Sequence, residues 1–398
     1  MQDRVPLYPG RVTLNPVAGQ ANTYDMVRAD QPTQEGTPLN KATLLKDVTA
    51  SILGLPNTAV PDDAFLALTI GVGTYGYRVK IQLADGTPVA GATVSGITAL
   101  PGSTLVSGTD GIVLGKSTSK TVIIGCTSPY IDQAPPTSQS VTAAGTITDV
   151  VLTLTAITGA ISITSSQTVK VSPMAKTVDI TAVGGGGGGG SGRDSNSKAS
   201  SGGSGGGGGY ANTVLGISAA DSVTVTIGAG GAPSASTTSS GTSTGGTGGK
   251  TTVKLGDATV CEATGGGGGI SAPYSGAATI PSGGAGNGDG GRGSGGGTYD
   301  SYAGMPGSAG SKYIFDDTSL GLAGGGGGGG GSGWGNTAEL IARNAGGAPN
   351  GGKGRTATSS GTQDGSAGKV MGGGGGGGCR EADGYSGGAG GVYLRFHF

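Results

Sequence analysis

Residues 179–190 read DITAVGGGGGGG, and residues 387–398 read GGAGGVYLRFHF. An apolar, β-branched piece that runs straight into or out of unbroken glycine decides the reading of this chain. Four more solid runs stand at 205–209, 265–269, 324–331 and 372–378, and the last three intervals between run starts, 60, 59 and 48 residues, form a loose repeat. Further β-branched pieces lie at 222–227, 251–255, 259–263 and 313–315, and 392–398 is an apolar alternation. A flexible linker is Gly/Ser throughout and has no use for such punctuation. Gly and Pro together make about 28% of the 398 residues, which without a period ordinarily signals disorder. The distribution argues otherwise: residues 1–183 hold 17 glycines and residues 184–398 hold 75. Two kinds of polymer meet near Val183.

Unbroken glycine has a packed solution. A polyproline-II helix has no internal hydrogen bonds, so its N–H and C=O groups point outward. Bundled helices satisfy those groups between neighbours, provided no side chain holds the axes apart. A helix crowded on one face needs Gly once per turn, as in collagen; a helix surrounded on every side needs it at every position. Seven residues at about 3.1 Å each give a rod of roughly 22 Å. Glycine loses more backbone entropy on ordering than any other residue, so dense hydrogen bonding and the flanking strands must offset that cost. The expectation for 158–398 is a polyglycine-II bundle with short strands. A disordered tether or matrix segment is the alternative.

In such a bundle the loops carry recognition. Here they are 191–204, 270–323, 332–371 and 379–391. They hold the sole Trp, Trp334, with Tyr274, Tyr299, Tyr302 and Tyr385, and the polar Asn287, Asp289, Arg292, Asn336, Arg380 and Asp383. Aromatic faces with polar neighbours suit saccharide rings and hydroxyls, at little entropic cost. The other reading has each aromatic cover an end of the bundle. If the runs lie parallel, Ser191, Ile270, Ser332 and Cys379, which each follow a run, emerge at one end and the loops form one surface.

Upstream the texture is ordinary. Residues 1–40 carry Pro6, Pro9, Pro16, Pro32 and Pro38 and almost no apolar periodicity, the mark of an extended arm. Leu44, Leu45, Val48 and Ile52, after Asn40 as N-cap, predict a helix over 41–53 that Gly54 and Pro56 end. Pro61-Asp62-Asp63 opens a second short helix through 64–68, with acids at its positive end. Neither buries its stripe alone, so the segment docks on a partner, on copies of itself, or on the next domain. From 71 to 157 the pattern is all-β: strands at 79–83, 92–97, 112–114, 121–124 and 147–154, with turns at Asp85-Gly86 and Asp110-Gly111, indicate a small β-sandwich. The expected domains are therefore 1–70, 71–157 and 158–398, in a fold that is mainly β and irregular.

Chemistry is thin. The one His, His397, lies in an apolar terminal strand, which leaves no Ser-His-Asp or Cys-His arrangement. Residues 71–76 spell GVGTYG, but a strand-like segment follows where a dinucleotide site needs a helix. The GKT at 249–251 and GKS at 115–117 lack the upstream Gly of a P-loop. GGAGNGDGG at 283–291 approaches a calcium nonapeptide, with Gly288 where Asp belongs and no second copy. Cys126, Cys261 and Cys379 have no metal spacing and read as free thiols. No enzyme, cofactor or metal is expected; a glycosidase with two carboxylates is the residual enzymatic alternative. With 24 acids, 23 bases and no basic face, nucleic acid is not an expected partner. No apolar stretch approaches a membrane span, and the first residues have no secretory h-region.

The wording of residues 4–47, RVPLYPGRVTLNPVAGQANTYDMVRADQPTQEGTPLNKATLLKD, with PDDAFLAL at 61–68, resembles the N-terminal segment of tail fibres or receptor-binding proteins of phages and prophages of Gram-positive bacteria. That resemblance implies attachment to tail or baseplate proteins by this end, a virion location, extracellular action, and commonly a homotrimer. ADGTPVAGATV at 84–94 with TDGIVLG at 109–115 is similar to carboxypeptidase-regulatory-like and other transthyretin-like sandwiches, usually spacers. VTIGAGG at 225–231 and the two stretches quoted at the outset resemble glycine-rich phage adhesin tips, whose loops contact a host polysaccharide or protein. The resemblance leaves a tailspike depolymerase as the enzymatic counterpart.

Overall fold

The computed structural model describes residues 5–6, 12–18, 24–28, 32–34, 45, 53, 55, 58–71, 74–145, 147–195, 198–200, 202–218, 222–235, 243–271, 290–294, 307, 309, 313–315, 318–320, 331–332, 351–358, 361–369, 371–379 and 382–398. It is mainly β, in several small sheets, with one short helix among the described residues. The chain forms two compact units, Met1–Pro129 with Pro135–Thr155, and Tyr130–Ala134 with Ala156–Phe398.

In the first unit the arm is not simply extended. Val12–Pro16 pairs antiparallel with Tyr24–Arg28, and Val5–Pro6 with Pro32–Gln34. Two-stranded sheets consist of edges only, which is where a strand tolerates proline. The helix expected over 41–53 lies outside the described residues apart from Leu45, which is buried, and Leu53. The second helix runs Pro61–Ile70, two residues beyond the expected end. Pro61 sits at its start, the Asp63 carboxylate accepts the Val60 N–H at 3.0 Å, and Gly71 ends it at φ 93°. Ala64 and Ala67 pack with Leu45, Leu55 and Ala59, while Phe65 and Leu68 are exposed.

Two sheets follow. One has the order Ile147–Thr153, Tyr75–Gln82, Ile112–Ser117, Thr98–Ala99, with its first pair parallel; the other has Gln139–Thr142, Thr121–Cys126, Val94–Ser95. Alternation buries Tyr77, Val79 and Ile81 on the first sheet and Val122 and Ile124 on the second, as a one-faced strand requires. The single strand expected over 92–97 is in fact two short ones. Gly96 breaks it at φ 91°, where a Cβ would lie 1.8 Å from the Ile123 carbonyl oxygen. A left-handed residue that close to a neighbouring strand has to be glycine.

The second unit has a base of two four-stranded sheets. Their orders are Ile161–Ile163, Gly391–His397, Thr177–Val183, Tyr210–Gly216, and Gln167–Lys170, Ser222–Thr226, Thr251–Leu255, Ala258–Ala263. Val178, Ile180, Leu394 and Phe396 of one and Val223, Val225, Val253 and Cys261 of the other share a single apolar core. Four of these strands, Ile161–Ile163, Gln167–Lys170, Thr177–Val183 and Tyr210–Gly216, were not anticipated as such.

From this base the chain continues as glycine-rich rods, numbered here in chain order: rod 1 (184–190), rod 2 (202–209), rod 3 (228–234), rod 4 (243–249), rod 5 (264–270), rod 6 (290–294), rod 7 (351–355), rod 8 (364–369), rod 9 (372–378) and rod 10 (382–390). Rods 1, 3 and 5 grow directly out of base strands, and rods 2, 4 and 10 run directly into them. The sheets thus set the register of the rods.

Hydrogen bonding along rod 1 repeats every three residues. Gly184, Gly187 and Gly190 donate to Gly209, Gly206 and Gly203 of rod 2; Gly185 and Gly188 to Gly249 and Gly246 of rod 4; Gly186 and Gly189 to Gly388 and Tyr385 of rod 10. The descending numbers make these three neighbours antiparallel. Its carbonyls accept from Gly266 and Gly269 of rod 5, Gly231 and Ser234 of rod 3, and Gly375 and Gly378 of rod 9, all ascending and so parallel. The ring closes, because rod 2 bonds to rods 5 and 9, rod 4 to rods 5 and 3, and rod 10 to rods 3 and 9. Rod 1 is therefore enclosed by six neighbours of alternating direction.

Enclosure explains the glycine. A Cβ built on Gly186, Gly187 or Gly188 would lie 1.9–2.0 Å from a carbonyl oxygen of rod 9, 5 or 3. Rods 1, 2 and 9 are buried along their whole length and contain only Gly apart from Ser204. On rods 3, 4 and 10 side chains stand three residues apart at exposed positions: Ala229 and Ala232 on rod 3, Thr244 and Thr247 on rod 4, Asp383 and Ser386 on rod 10. One net hydrogen bond gives about 1 kcal/mol, while fixing one residue's backbone costs about 1–2 kcal/mol. Rods that bury no side chains cannot close that gap, so the apolar base is what holds the bundle.

Candidate functional site

The site is built from the ends of these rods. Rods 1, 3, 5 and 9 run parallel, away from the base, so Ser191, Ile270 and Cys379 leave the bundle at one end, called distal here. Ser332 belongs to Gly331–Ser332, which pairs in parallel with Thr356–Thr358. That strand follows directly on rod 7, itself parallel to rod 9 through Gly352 to Gly374 and Arg355 to Gly377. All four residues therefore come out at the distal end. The runs are not uniformly parallel, however: rod 2, with its glycines at 205–209, comes back toward the base.

Small hydroxyls close this end. Ser191, Ser234 and Ser271 are buried, and Ser191 Oγ lies 3.0 Å from Ser243 Oγ and 3.2 Å from Ser234 Oγ. The Ser243 N–H donates to Ser271 Oγ at 2.8 Å, and the Ser271 N–H to the Ser243 carbonyl. On the far side of rod 2, Ser204 and Ser294 are paired in the same way, the Ser294 N–H donating to Ser204 Oγ at 2.6 Å. A hydroxymethyl group fits where the lattice opens, and it supplies partners for backbone groups that have run out of rod.

Two hairpins stand on this end. Arg193–Ser195 pairs with Lys198–Ser200 between rods 1 and 2, and Thr356–Thr358 with Gly361–Gln363 between rods 7 and 8. Gly331–Ser332 lies beside both, paired with the second and adjacent to Lys198–Ser200 of the first.

Of the eleven residues singled out in the sequence, Tyr274, Asn287, Asp289, Tyr299, Tyr302, Trp334, Asn336 and Arg380 lie outside the described residues. The other three sit on rods, not in loops. Arg292 stands at an exposed position of rod 6 and Asp383 at an exposed position of rod 10. Tyr385 is half-buried, and its hydroxyl accepts the Gly365 N–H at 3.0 Å, which ties rod 10 to rod 8. Parts of the loops expected at 270–323, 332–371 and 379–391 are thus rods 6, 7, 8 and 10. A peripheral rod with a side chain at every third position does not look like a rod when only solid runs are counted.

Two titratable groups belong to the base. Burial pushes the Cys261 thiol up to about 11 against the base core, where Sγ lies 3.4 Å from the Ala211 carbonyl. His397 pairs with Asp179 at 3.0 Å across neighbouring strands of the base. Among the described residues no three His, Cys, Asp or Glu come together to hold a metal, and no helix is long and apolar enough to cross a membrane. What this geometry does is hold chain segments at fixed positions on one face.

A family model described as a glycine-rich domain matches residues 161–397. No curated protein matches the chain at a significant level.

Proposed function

The chain belongs to the family of glycine-rich domains, and from that footing we propose that it is the receptor-binding fibre of a phage or prophage tail. Its N-terminal segment attaches to tail or baseplate proteins. A transthyretin-like β-sandwich spaces that end from the polyglycine-II bundle, and the distal end of the bundle recognises a polysaccharide or protein on the host cell. The observation that carries this reading is the common distal end: Ser191, Ile270, Ser332 and Cys379 all leave the bundle there. A bundle that spends its interior on backbone hydrogen bonds presents the segments that follow them from a fixed frame, and pre-organisation lowers the entropic cost of binding.

Attachment draws support from the arm. Val12, Leu14 and Tyr24 are exposed on a two-stranded ribbon, and such a ribbon is marginal by itself in water. Docking, on tail proteins or within a homotrimer, supplies the missing face.

The test is binding of the fluorescently labelled full chain to a panel of Gram-positive cells by flow cytometry. Saturable binding to a subset of strains is the expected outcome. Absence of binding across a panel that includes the host overturns the adhesin reading. Release of reducing sugar from their envelopes replaces it with a depolymerase.

A further inference from the structure

We propose that the exposed side chains of rods 3 and 4 guard an open edge: they stop the glycine lattice from continuing into a second copy of this chain. This role concerns the sides of the bundle and is independent of the receptor-binding reading above.

Hydrogen bonding creates the need. Rod 1 has six rod neighbours, whereas among the described residues rod 3 bonds only to rods 1, 4 and 10, and rod 4 only to rods 1, 3 and 5. The N–H groups of Ala229, Gly230 and Ala232 on rod 3, and of Thr244 and Thr247 on rod 4, meet no acceptor among the described residues. A row of unpaired backbone groups is to this lattice what an edge strand is to a sheet, a template for pairing with another chain. The lattice is unselective as well. Rod 1 takes neighbours of both directions, so any rod of a second copy fits an open side.

Distances show how one Cβ closes such a side. Where rods 3 and 4 touch their neighbours, a Cβ on Gly228, Gly230, Gly231 or Gly248 would lie 2.0–2.1 Å from a backbone oxygen. A foreign rod that approached Ala229, Ala232, Thr244 and Thr247 would meet the same contact, and could not come within hydrogen-bonding distance. Placement follows this rule through the whole bundle. Among the described residues of the ten rods several glycines are half-buried and none is exposed; each exposed position carries a side chain. Glycine's entropic cost favours other residues at such positions too, and the experiment separates the two causes.

Analytical ultracentrifugation of the full chain over a concentration series is the test. One variant carries Ala229→Gly with Ala232→Gly, a second Thr244→Gly with Thr247→Gly, and a third all four. A control has serine at the same four positions, which keeps every Cβ. Circular dichroism and thermal unfolding check the fold of each. The four-position glycine variant is expected to reach about twice the wild-type mass or more as concentration rises, and the serine control to keep the wild-type mass. Folded glycine variants that keep the wild-type mass at every concentration refute the guard, and a lower Tm alone then assigns these side chains to the entropy of the unfolded chain. Loss of the fold in either two-position variant refutes it as well, because it gives those side chains a role inside the bundle. Equal association of the serine control refutes the part played by Cβ.

Discussion

Gly188→Ala is the sharpest perturbation of the bundle. A Cβ at this position falls 1.9 Å from the Ala232 carbonyl oxygen, 2.5 Å from its carbon and 2.9 Å from the Gly231 oxygen, all backbone of rod 3. No rotamer relieves such a contact; the two rods must part by roughly 1.5 Å to reach ordinary van der Waals separation. Rod 3 is held to rod 1 by the Gly231 N–H to Gly186 at 2.7 Å and the Ser234 N–H to Gly189 at 2.9 Å. Both bonds then exceed the usual range for N–H···O. Each buried group left unsatisfied costs about 1–3 kcal/mol. Stiffening of the unfolded chain by Ala returns about 0.4–1 kcal/mol. The balance is a loss of about 3 kcal/mol, or about 6–12 °C in Tm for a unit of this size. Differential scanning calorimetry measures it against Gly216→Ala, where the structure has nothing within 4 Å of the new Cβ. That control is expected to be neutral or to gain about 0.4–1 kcal/mol. Equal Tm values for the two variants would refute the close-packed lattice.

Removal of residues 391–398 takes out the strand between Ile161–Ile163 and Thr177–Val183 and with it Val392, Leu394 and Phe396 of the core; loss of the far-UV β signal of the whole second unit is expected, and a bundle that persists would show that the base does not hold it. Limited trypsin digestion should spare Arg292 and Lys353, whose backbones lie in rods 6 and 7, and prompt cutting at both would identify a tether. The Cys261 thiol, pushed up to about 11 by burial, should resist iodoacetamide at pH 8 until the chain is denatured; labelling of the native chain at a free-thiol rate contradicts its burial. The Arg78 guanidinium hydrogen-bonds Asp149 and holds its carboxyl below the ordinary range. A folded value below the unfolded one stabilises above the unfolded pKa of about 3.9, and that contribution disappears as pH falls through the folded value. The pair is well exposed, so Asp149→Asn should remove no more than about 1 kcal/mol at neutral pH. A large loss at pH 7 in urea titrations would argue for a buried role.

The parts of the fold that depend on local pattern were legible. Alternation located the strands Ile112–Ser117, Thr121–Cys126, Ser222–Thr226, Thr251–Leu255 and Gly391–His397, with ends off by a few residues. Pro61-Asp62-Asp63 marked a helix start. Gly96 was invisible, because the carbonyl that excludes its side chain belongs to Ile123, on another strand. Rods 3, 4, 6, 7, 8 and 10 were hidden for a related reason. A rod that faces solvent admits side chains on its open side, and stretches such as DGYSGGAGG at 383–391, with five glycines in nine, form a rod without a solid run. Asp383 and Tyr385 were therefore assigned to a loop and stand instead on rod 10.

Amino-acid order alone determines that 184–190 and 372–378 admit a neighbour on every side, because nothing projects from them. It also determines that the apolar pieces at 222–227, 251–255 and 392–398 form strands. It does not determine which rods are neighbours or which way each runs. Bare glycine backbone is the same in every rod and carries no label by which one could select another. That choice is made by the base sheets, where Val178, Ile180, Val223, Val253 and Leu394 interdigitate in one core and each strand delivers its rod at a set place and direction. The distal end, and every segment gathered on it, follows from that packing.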